Sequence, residues 1–529
     1  MVSKVQIVEI LHNLGGIKMI FNRSKRNLDW YKNMILNSKY KLDVNVADKL
    51  ALNLLNIQNG NKDVYTTPLG KFSSDILSEW DEIFQANSNL INSNLLRVEE
   101  SNKAKFGPRS VSVGWPLRRE SLYDYFHKDK EVNSVKRLIC EESNKGNLRP
   151  ISSENALNYL KLNTNSGLPY YTNKGSIKNR ILEDIQNGTN TDYPCVLFTR
   201  PKESGIPRNV WGFPVADTLK EMRFYRPVLE YQKLRKWRSA LIGPEEVDLA
   251  MTGIIDRGVG SSRKLVSIDF SSYDATVSKS VSSAAFGYIK SLFQPKYHEE
   301  ISSIENRFQT IPIFTPDGVI EGYHGVPSGS TFTNEVDSIA QYLIATSLDF
   351  VQIDNMQIQG DDGAYSLSSQ YEVDRLLDRF ESFGLKLNRD KCNIAEDHLI
   401  YLQLLFDPYY RNSSGIIGGI YPTYRALNRI CFQERWSSFE DYQMMGKDYY
   451  SLRTLSILEN CKHHPLFKEL VKFVYTKDKY KLEFSEDSLA KFVRMNESGS
   501  GSSDIIQNHY GDNPRGITSF ESYKILKSM

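Results

Sequence analysis

Two groups of acidic residues stand where divalent-metal chemistry could be done. One is Asp269, at the end of the apolar run KLVSIDF (Lys264 to Phe270); the other is the adjacent pair Asp361 and Asp362 in QGDDG (Gln359 to Gly363). Carboxylate oxygens suit hard Mg²⁺, which takes few ligands from protein and keeps phosphate and water for the rest. Two such ions about 3.5–4 Å apart can activate a 3′-hydroxyl and steady a leaving pyrophosphate, which is what nucleotidyl transfer asks for. One Asp at a strand end and another in a neighbouring hairpin turn is the smallest device that holds them, provided the two strands lie side by side. Singly, neither piece is informative, because Gly-Asp-Asp-Gly is also simply a good hairpin turn.

The elements that must position these residues are legible. Lys264 to Phe270 predicts a short strand delivering Asp269, and Met356 to Leu367 predicts strand, tight turn, strand. Between them, Thr331 to Ser347 places Phe332, Val336, Ile339, Ala340 and Leu343 at helical spacing. Ser369 and Glu372 form a capping-box pattern. It opens a helix with the stripe Val373, Leu376, Leu377, Phe380 and Phe383, and Gly384 supplies the stop. Leu385 to Leu387 and Leu399 to Phe406 read as further strands. Strand, helix, hairpin, helix, strand builds a small sheet with helices on one face. Upstream, residues 213 to 238 read as helix after Pro214, and Phe106 to Arg119 as an extended basic segment. The first hundred residues read as mixed helix with Asn-rich loops. Residues 430 to 495 are again helical and run into ESGSGSS (Glu497 to Ser503), which reads as a flexible linker or as a loop entering a channel.

Composition narrows the function classes. A chain of 529 residues with 40% hydrophobic and 25% charged residues is expected to form a soluble protein of several lobes. A net charge of only +2 excludes a basic, tail-like nucleic-acid binder, so any RNA-handling charge must be confined to a channel. The local excess of Lys18, Arg23, Lys25, Arg26, Lys32, Lys39 and Lys41, opposed by Asp29 and Asp43, reads most simply as a solvated helix face. Five scattered cysteines (Cys140, Cys195, Cys392, Cys431, Cys461) without a CxxC pair point to reduced thiols in a cytosolic setting. The N-terminus lacks a signal-peptide pattern and no run approaches ~20 apolar residues, so a soluble intracellular chain is expected.

From residue 164 to about 406 the sequence resembles the right-hand, palm-domain RNA polymerases, with its motifs in unpermuted order. DFSSYD (Asp269 to Asp274) resembles the metal motif, GVPSGSTFTN (Gly325 to Asn334) the nucleotide-binding loop and helix start, and QGDDG the catalytic hairpin. TNSGLPY (Thr164 to Tyr170) looks like the template-strand motif, RPKESGIPRNVWG (Arg200 to Gly212) like the basic motif that receives nucleoside triphosphates, and FGLKLNRDKC (Phe383 to Cys392) like the motif carrying a catalytic lysine. The wording is that of small bisegmented double-stranded RNA viruses, with picobirnavirus polymerases matching best and partitivirus polymerases next. The resemblance implies an α+β right hand closed by fingertips, its palm a small antiparallel sheet backed by helices. It places fingers at 1–215, palm at 216–305, a fingers return at 306–325, palm again at 326–408, and thumb with a C-terminal extension at 409–529.

It also implies roles. Asp269 and Asp361 bind two Mg²⁺ ions, with Mn²⁺ as a substitute, and Asp362 is the more peripheral carboxylate. Lys391, with Lys386 as rival, protonates the departing pyrophosphate. Arg200, Lys202 and Arg208 face the triphosphate. Asp274, Ser328 and Thr333 surround the ribose, with Asn334 or Asp337 as the partner of its 2′-hydroxyl; Asp337 otherwise reads as a helix-surface acid. Ser166, Gly167 and Pro169 guide the template. The implied partners are template and product RNA, nucleoside triphosphates and viral capsid protein, with no membrane and a monomeric chain. The implied setting is the virion interior and the host cytoplasm, with primer-independent replication and transcription of a double-stranded RNA genome. A reverse transcriptase would instead show an aromatic sugar gate near Asp274, where Tyr273 is the nearest candidate. A non-catalytic RNA-binding or scaffold protein would lack a metal carboxylate or the triphosphate-facing arginine.

Overall fold

Two four-stranded sheets organise the chain, whose computed structural model describes residues 26–126, 146–189, 192–202, 206–258, 263–497 and 514–529. Lys18, Arg23 and Lys25 of the basic cluster, Cys140, residues 203–205 of the basic motif and the ESGSGSS stretch beyond Glu497 lie outside the described residues. In the first sheet Met356–Gln359, Asp362–Leu367, Lys264–Ile268 and Asn393–Ala395 lie in that order, all antiparallel. The hairpin turn requires Gly360, whose φ of +64° belongs to the left-handed region and whose added Cβ would stand 3.2 Å from the Asn334 amide.

This sheet is covered on both faces, where the sequence suggested one. Leu265 and Ala364 pack with helix Pro244–Gly258 and the hairpin Leu399–Tyr401/Leu404–Phe406. Val266, Ile268, Tyr365 and Leu367 pack instead with helices Thr333–Thr346 and Gln370–Ser382. A strand buried on both sides reads as a continuous apolar run, as KLVSI does. Asn393–Ala395 escaped the sequence reading because it is a half-exposed edge strand of three residues without apolar alternation. Leu385 to Leu387 forms only an isolated bridge, Leu387 to Phe270.

Helix Thr333–Thr346 carries the predicted apolar stripe, but every residue from Glu335 to Ala345 is buried, polar ones included. It begins two residues later than predicted because the Thr333 hydroxyl donates back to the carbonyls of Pro327 and Ser330, keeping the preceding residues in a turn. Helix Gln370–Ser382 is capped as expected at its first turn, Ser369 accepting from the Glu372 N–H; the Glu372 carboxylate reaches back to Ser368 instead of Ser369. The second sheet orders Arg208–Gly212, Cys195–Arg200, Ile313–Thr315 and Gly318–Ile320, with only the middle pair parallel. Helix Val215–Gln232 follows it directly after Pro214.

The N-terminal region ties the two ends of the molecule together. In helix Val44–Asn59, Ala47, Leu50, Ala51 and Leu54 repeat at helical spacing and pack with Val196 and Phe314 of the second sheet. In helix Ser73–Ala86, Ile76, Trp80 and Phe84 face the opposite way, into the C-terminal helical core. There the Trp80 indole donates to the Thr423 hydroxyl at 3.0 Å, and Tyr65–Thr66 pairs with Phe432–Gln433. Among the described residues no helix is long and apolar enough to cross a membrane, and Cys195, Cys392, Cys431 and Cys461 are free thiols.

Candidate active site

The register of the first sheet brings the carboxylates together. Ile268 pairs with Gly363, and Gln359 with Asp362, so Asp269 and Asp361 emerge at the same end of neighbouring strands. The segment after Gly384 runs alongside the first of them: the Asn388 N–H donates to the Asp269 carbonyl at 2.8 Å, and the Asp269 N–H meets Cys392 Sγ at 3.5 Å. On the hairpin, the Gly360 N–H donates to Ser338 Oγ at 2.7 Å and Gln341 Nε2 to the Asp361 carbonyl at 3.2 Å. Both anchors are polar residues of the buried helix.

The carboxylates repel one another. Burial, then Asp361 and Asp269, push Asp362 up to about 7, against Arg208. Burial and Asp361 push Asp274 up to about 6, opposed by Arg208 and Lys202. Partial burial also raises Asp269, with Asp361 adding to it and Lys391 and Lys105 opposing. Asp337 is no surface acid: it is buried within helix Thr333–Thr346, and burial followed by Asp274 holds it well above the carboxylate range. Sequence periodicity put it off the apolar stripe, and only the packing of the helix on every side buried it. Tyr273, the candidate aromatic gate, turns into the core and donates its hydroxyl to the Asp337 carbonyl at 3.0 Å.

The basic residues gather on the second sheet. Arg200 and Arg208 are direct cross-strand partners, two like charges on one face, an arrangement that costs stability until an anion sits between or beside them. Lys202 is lowered by burial and by Arg208 while Asp361 and Asp274 raise it, so its ammonium shares their electrostatic field. Arg200 also meets Glu434 of the C-terminal region at 3.4 Å, and Arg109 from the extended basic segment pairs with the other oxygen of the same carboxylate. Lys391 acts on Asp269 through its charge, whereas Lys386 meets the metal motif through its carbonyl, which accepts from the Ser271 N–H.

The remaining predicted residues are positioned by their neighbours. Ser328 bonds the backbone of Asn209 and Trp211, fastening its loop to the Arg208 strand. Asn334 accepts from Arg238, which also forks onto Glu335 at 2.8 and 3.2 Å. Glu221 holds the same loop by accepting from the Ser330 hydroxyl and the Thr331 N–H. Ser166 and Gly167, in the segment that carries Pro169, lie against Phe213 to Val215. Val215 donates to the Ser166 carbonyl at 2.8 Å, and a Cβ at Gly167, φ +63°, would strike the Phe213 carbonyl at 2.3 Å.

Four residues at the site were not read from the sequence. Tyr125 accepts at its carbonyl from Gly325, and its hydroxyl is raised by burial and then by Asp274 and Asp337. The charge of Lys105 acts on Asp269 from a segment more than 160 residues upstream, a separation no local pattern reports. Ser338 and Gln341 did leave a signal, as polar residues within a helix that carries an apolar stripe.

The donor set fits divalent cations. Carboxylates that raise one another's pKa in a cleft are relieved by a cation between them. Among the described residues no three acidic, His or Cys side chains already converge on one ion position. Mg²⁺ does not need them to, since it pairs one or two carboxylates with phosphate and water oxygens.

Residues 207–411 match the family described as viral RNA-dependent RNA polymerase. A potential RNA-dependent RNA polymerase of human picobirnavirus is 30% identical over 81% of this chain and 84% of its own length. An RNA-directed RNA polymerase of Cryptosporidium parvum virus 1 is 25% identical over 52% of this chain and 58% of its own length. In fold, the chain is similar to the crystal structure of the RNA-dependent RNA polymerase of a human picobirnavirus, with a TM-score of 0.74, 23% identity and coverage of 90% of this chain and 95% of that one. The right-hand polymerase fold and the ordered motifs thus agree, and the chain belongs to the viral RNA-dependent RNA polymerases, its likeness running to those of picobirnaviruses.

Proposed function

We propose that this polymerase adds ribonucleotides to an RNA 3′-hydroxyl with two Mg²⁺ ions held by Asp269 and Asp361, and with Asp362 beside them. The observation that carries this reading is the pairing of Ile268 with Gly363, which sets both carboxylates at one sheet end opposite Lys202 and Arg208. Bound there, the ions supply a lowered pKa for the 3′-hydroxyl and charge for the triphosphate. Arg208, Lys202 and Arg200 orient that triphosphate, Arg forking onto its oxygens. Asp274 accepts from the ribose 2′-hydroxyl. Its partner in that task is Asp337, whose buried Oδ1 lacks a bonding partner; the Asn334 carbonyl oxygen already accepts from Arg238. Ser328 and Thr333 shape the ribose loop through the bonds described above. Lys391 delivers a proton to pyrophosphate as it leaves. Ser166, Gly167 and Pro169 steer the template by backbone contact, with the RNA gripped through phosphates and ribose hydroxyls.

The same reading divides the hand at 1–215, 216–305, 306–325, 326–408 and 409–529. The return of Ile313–Thr315 to the second sheet supports the short fingers segment, and the helices of 73–103 bridge from the fingers to the thumb. The names of the two viral relatives support replication and transcription of a double-stranded RNA genome. For that task we infer a monomer working without a primer, in contact with capsid protein, inside the virion and in the host cytoplasm. Primer extension with Mg²⁺ and either ribonucleoside or deoxyribonucleoside triphosphates tests the core of this reading. Ribonucleotides alone should be incorporated well, and Asp361→Asn should lower the rate on the order of 10³-fold or more. Substantial synthesis by that variant would sink the assignment.

A further inference from the structure

Helix Thr333–Thr346 meets both carboxylate-bearing segments along one face. At Asp337 its carbonyl accepts from the hydroxyl of Tyr273, the neighbour of Asp274, at 3.0 Å. One residue on, Ser338 donates its hydroxyl to the Asn334 carbonyl at 2.6 Å and accepts the Gly360 N–H at 2.7 Å. One turn beyond Asp337, Gln341 donates to the Asp361 carbonyl at 3.2 Å and accepts from the Tyr365 hydroxyl at 3.2 Å. Ser338 and Gln341 are fully buried, and the hairpin has closed around the amide: a Cβ at Gly363 would stand 2.5 Å from Gln341 Oε1. An apolar side chain could fill this space. Burying a hydroxyl and an amide instead is worthwhile only where their bonds do something that packing cannot, namely fix the direction of a turn.

We propose that Ser338 and Gln341 are positioning residues that couple ribose recognition at Asp274 and Asp337 to the placement of Asp361. The coupling rests on the reading of those carboxylates given above. A 2′-hydroxyl engaged by Asp274 and Asp337 steadies the Tyr273 segment against the helix. The helix is stiff over one turn, and its Ser338 and Gln341 side chains hold Gly360 and Asp361, so the metal hairpin is aligned best when the sugar is ribose. A deoxyribose leaves the helix face unengaged at one end, and the hairpin loses that support. Selection of the sugar then acts on the rate of chemistry and not on binding alone.

Single-nucleotide incorporation by the full chain, with Mg²⁺ and ATP or dATP, tests this. Gln341→Met, nearly the same shape without the donor, should lower kcat for ATP about tenfold with KM little changed. The dATP rate should fall less, shrinking the ATP-to-dATP preference about five- to tenfold. In Asp337→Ala combined with Gln341→Met, the preference should fall no further than in either single variant, as for two residues acting through one linkage. Equal losses for ATP and dATP, or additive losses of preference in the double variant, would overturn the proposal and leave Gln341 a structural residue. If circular dichroism shows Gln341→Met unfolded, Ser338→Ala, which removes one hydroxyl, carries the same expectation and decides the matter. Failure of the polymerase reading itself looks different: wild-type protein without Mg²⁺-dependent incorporation, or Asp361→Asn that retains it.

Discussion

Two groups of acids in this molecule are treated in opposite ways. Around Arg238 and at the N-terminal bridge, the buried acids Glu335 and Glu99 are matched. Glu335 is fully buried beneath the fork of Arg238, itself fully buried. Glu99 accepts from the Thr423 hydroxyl and the N–H groups of Thr423 and Tyr424, with His464 Nε2 at 2.9 Å. In the cleft, Asp274, Asp337 and Asp362 are raised by burial and by the nearby Asp361, and one Asp337 oxygen has no bonding partner. Matched acids fix how elements sit together. Unmatched ones are costly to ionise, and on the proposed reading that cost is relieved by the cations and the ribose hydroxyl of a bound substrate.

Removing one member of a matched pair should have the largest effect on stability. Arg238→Met leaves Glu335 buried without its cation and should cost about 3–5 kcal/mol in denaturant unfolding, whereas Arg238→Met with Glu335→Leu should recover most of it. A single variant as stable as the parent would mean the pair is solvated and the contrast false.

The cleft should respond in the other direction, to pH and metal. Asp274 and Asp362 have values raised to about 6 and about 7 from 3.8. A raised acid favours the fold while protonated, so this contribution is full below about pH 4 and is lost as pH rises through about 6 to 7. Calorimetry of metal-free protein should therefore show stability from this site falling over that range. Added Mg²⁺ should raise the melting temperature more at about pH 8 than at about pH 5, and equal shifts at both would break the comparison.

The smallest effect calibrates the others. Lys236 and Asp354 form an ion pair at 3.0 Å with both side chains largely exposed. Lys236→Ala should change unfolding free energy by less than about 0.5 kcal/mol. A larger change would show that solvent exposure does not separate the two kinds of charge here.

Much of the site was legible before any fold was known, and the reasons are local. A strand, a hairpin and a helix each declare themselves by period and turn chemistry, as KLVSIDF, QGDDG and the stripe Val336, Ile339, Ala340, Leu343 do. Less was legible where a residue's environment comes from elsewhere in the chain. Asp337 looked like a surface acid because its helix carries a visible apolar stripe, and the packing that buries its polar face belongs to the hairpin and the Tyr273 segment. The first hundred residues spoke only of helices, because which of them faces the second sheet and which the C-terminal core depends on contacts hundreds of residues away.

The carboxylates Asp269, Asp361 and Asp362 and their motifs were determined by the sequence itself: residue type sets ligand chemistry, and short-range spacing sets strand, turn and helix. The tertiary structure alone decided that Ile268 pairs with Gly363, that the charges of Lys391 and Lys105 act on Asp269, and that Asp337 is buried within the field of Asp274. Register, burial and electrostatic coupling are properties of pairs distant in the chain. Their energies exist only once hydrophobic burial has brought those pairs together.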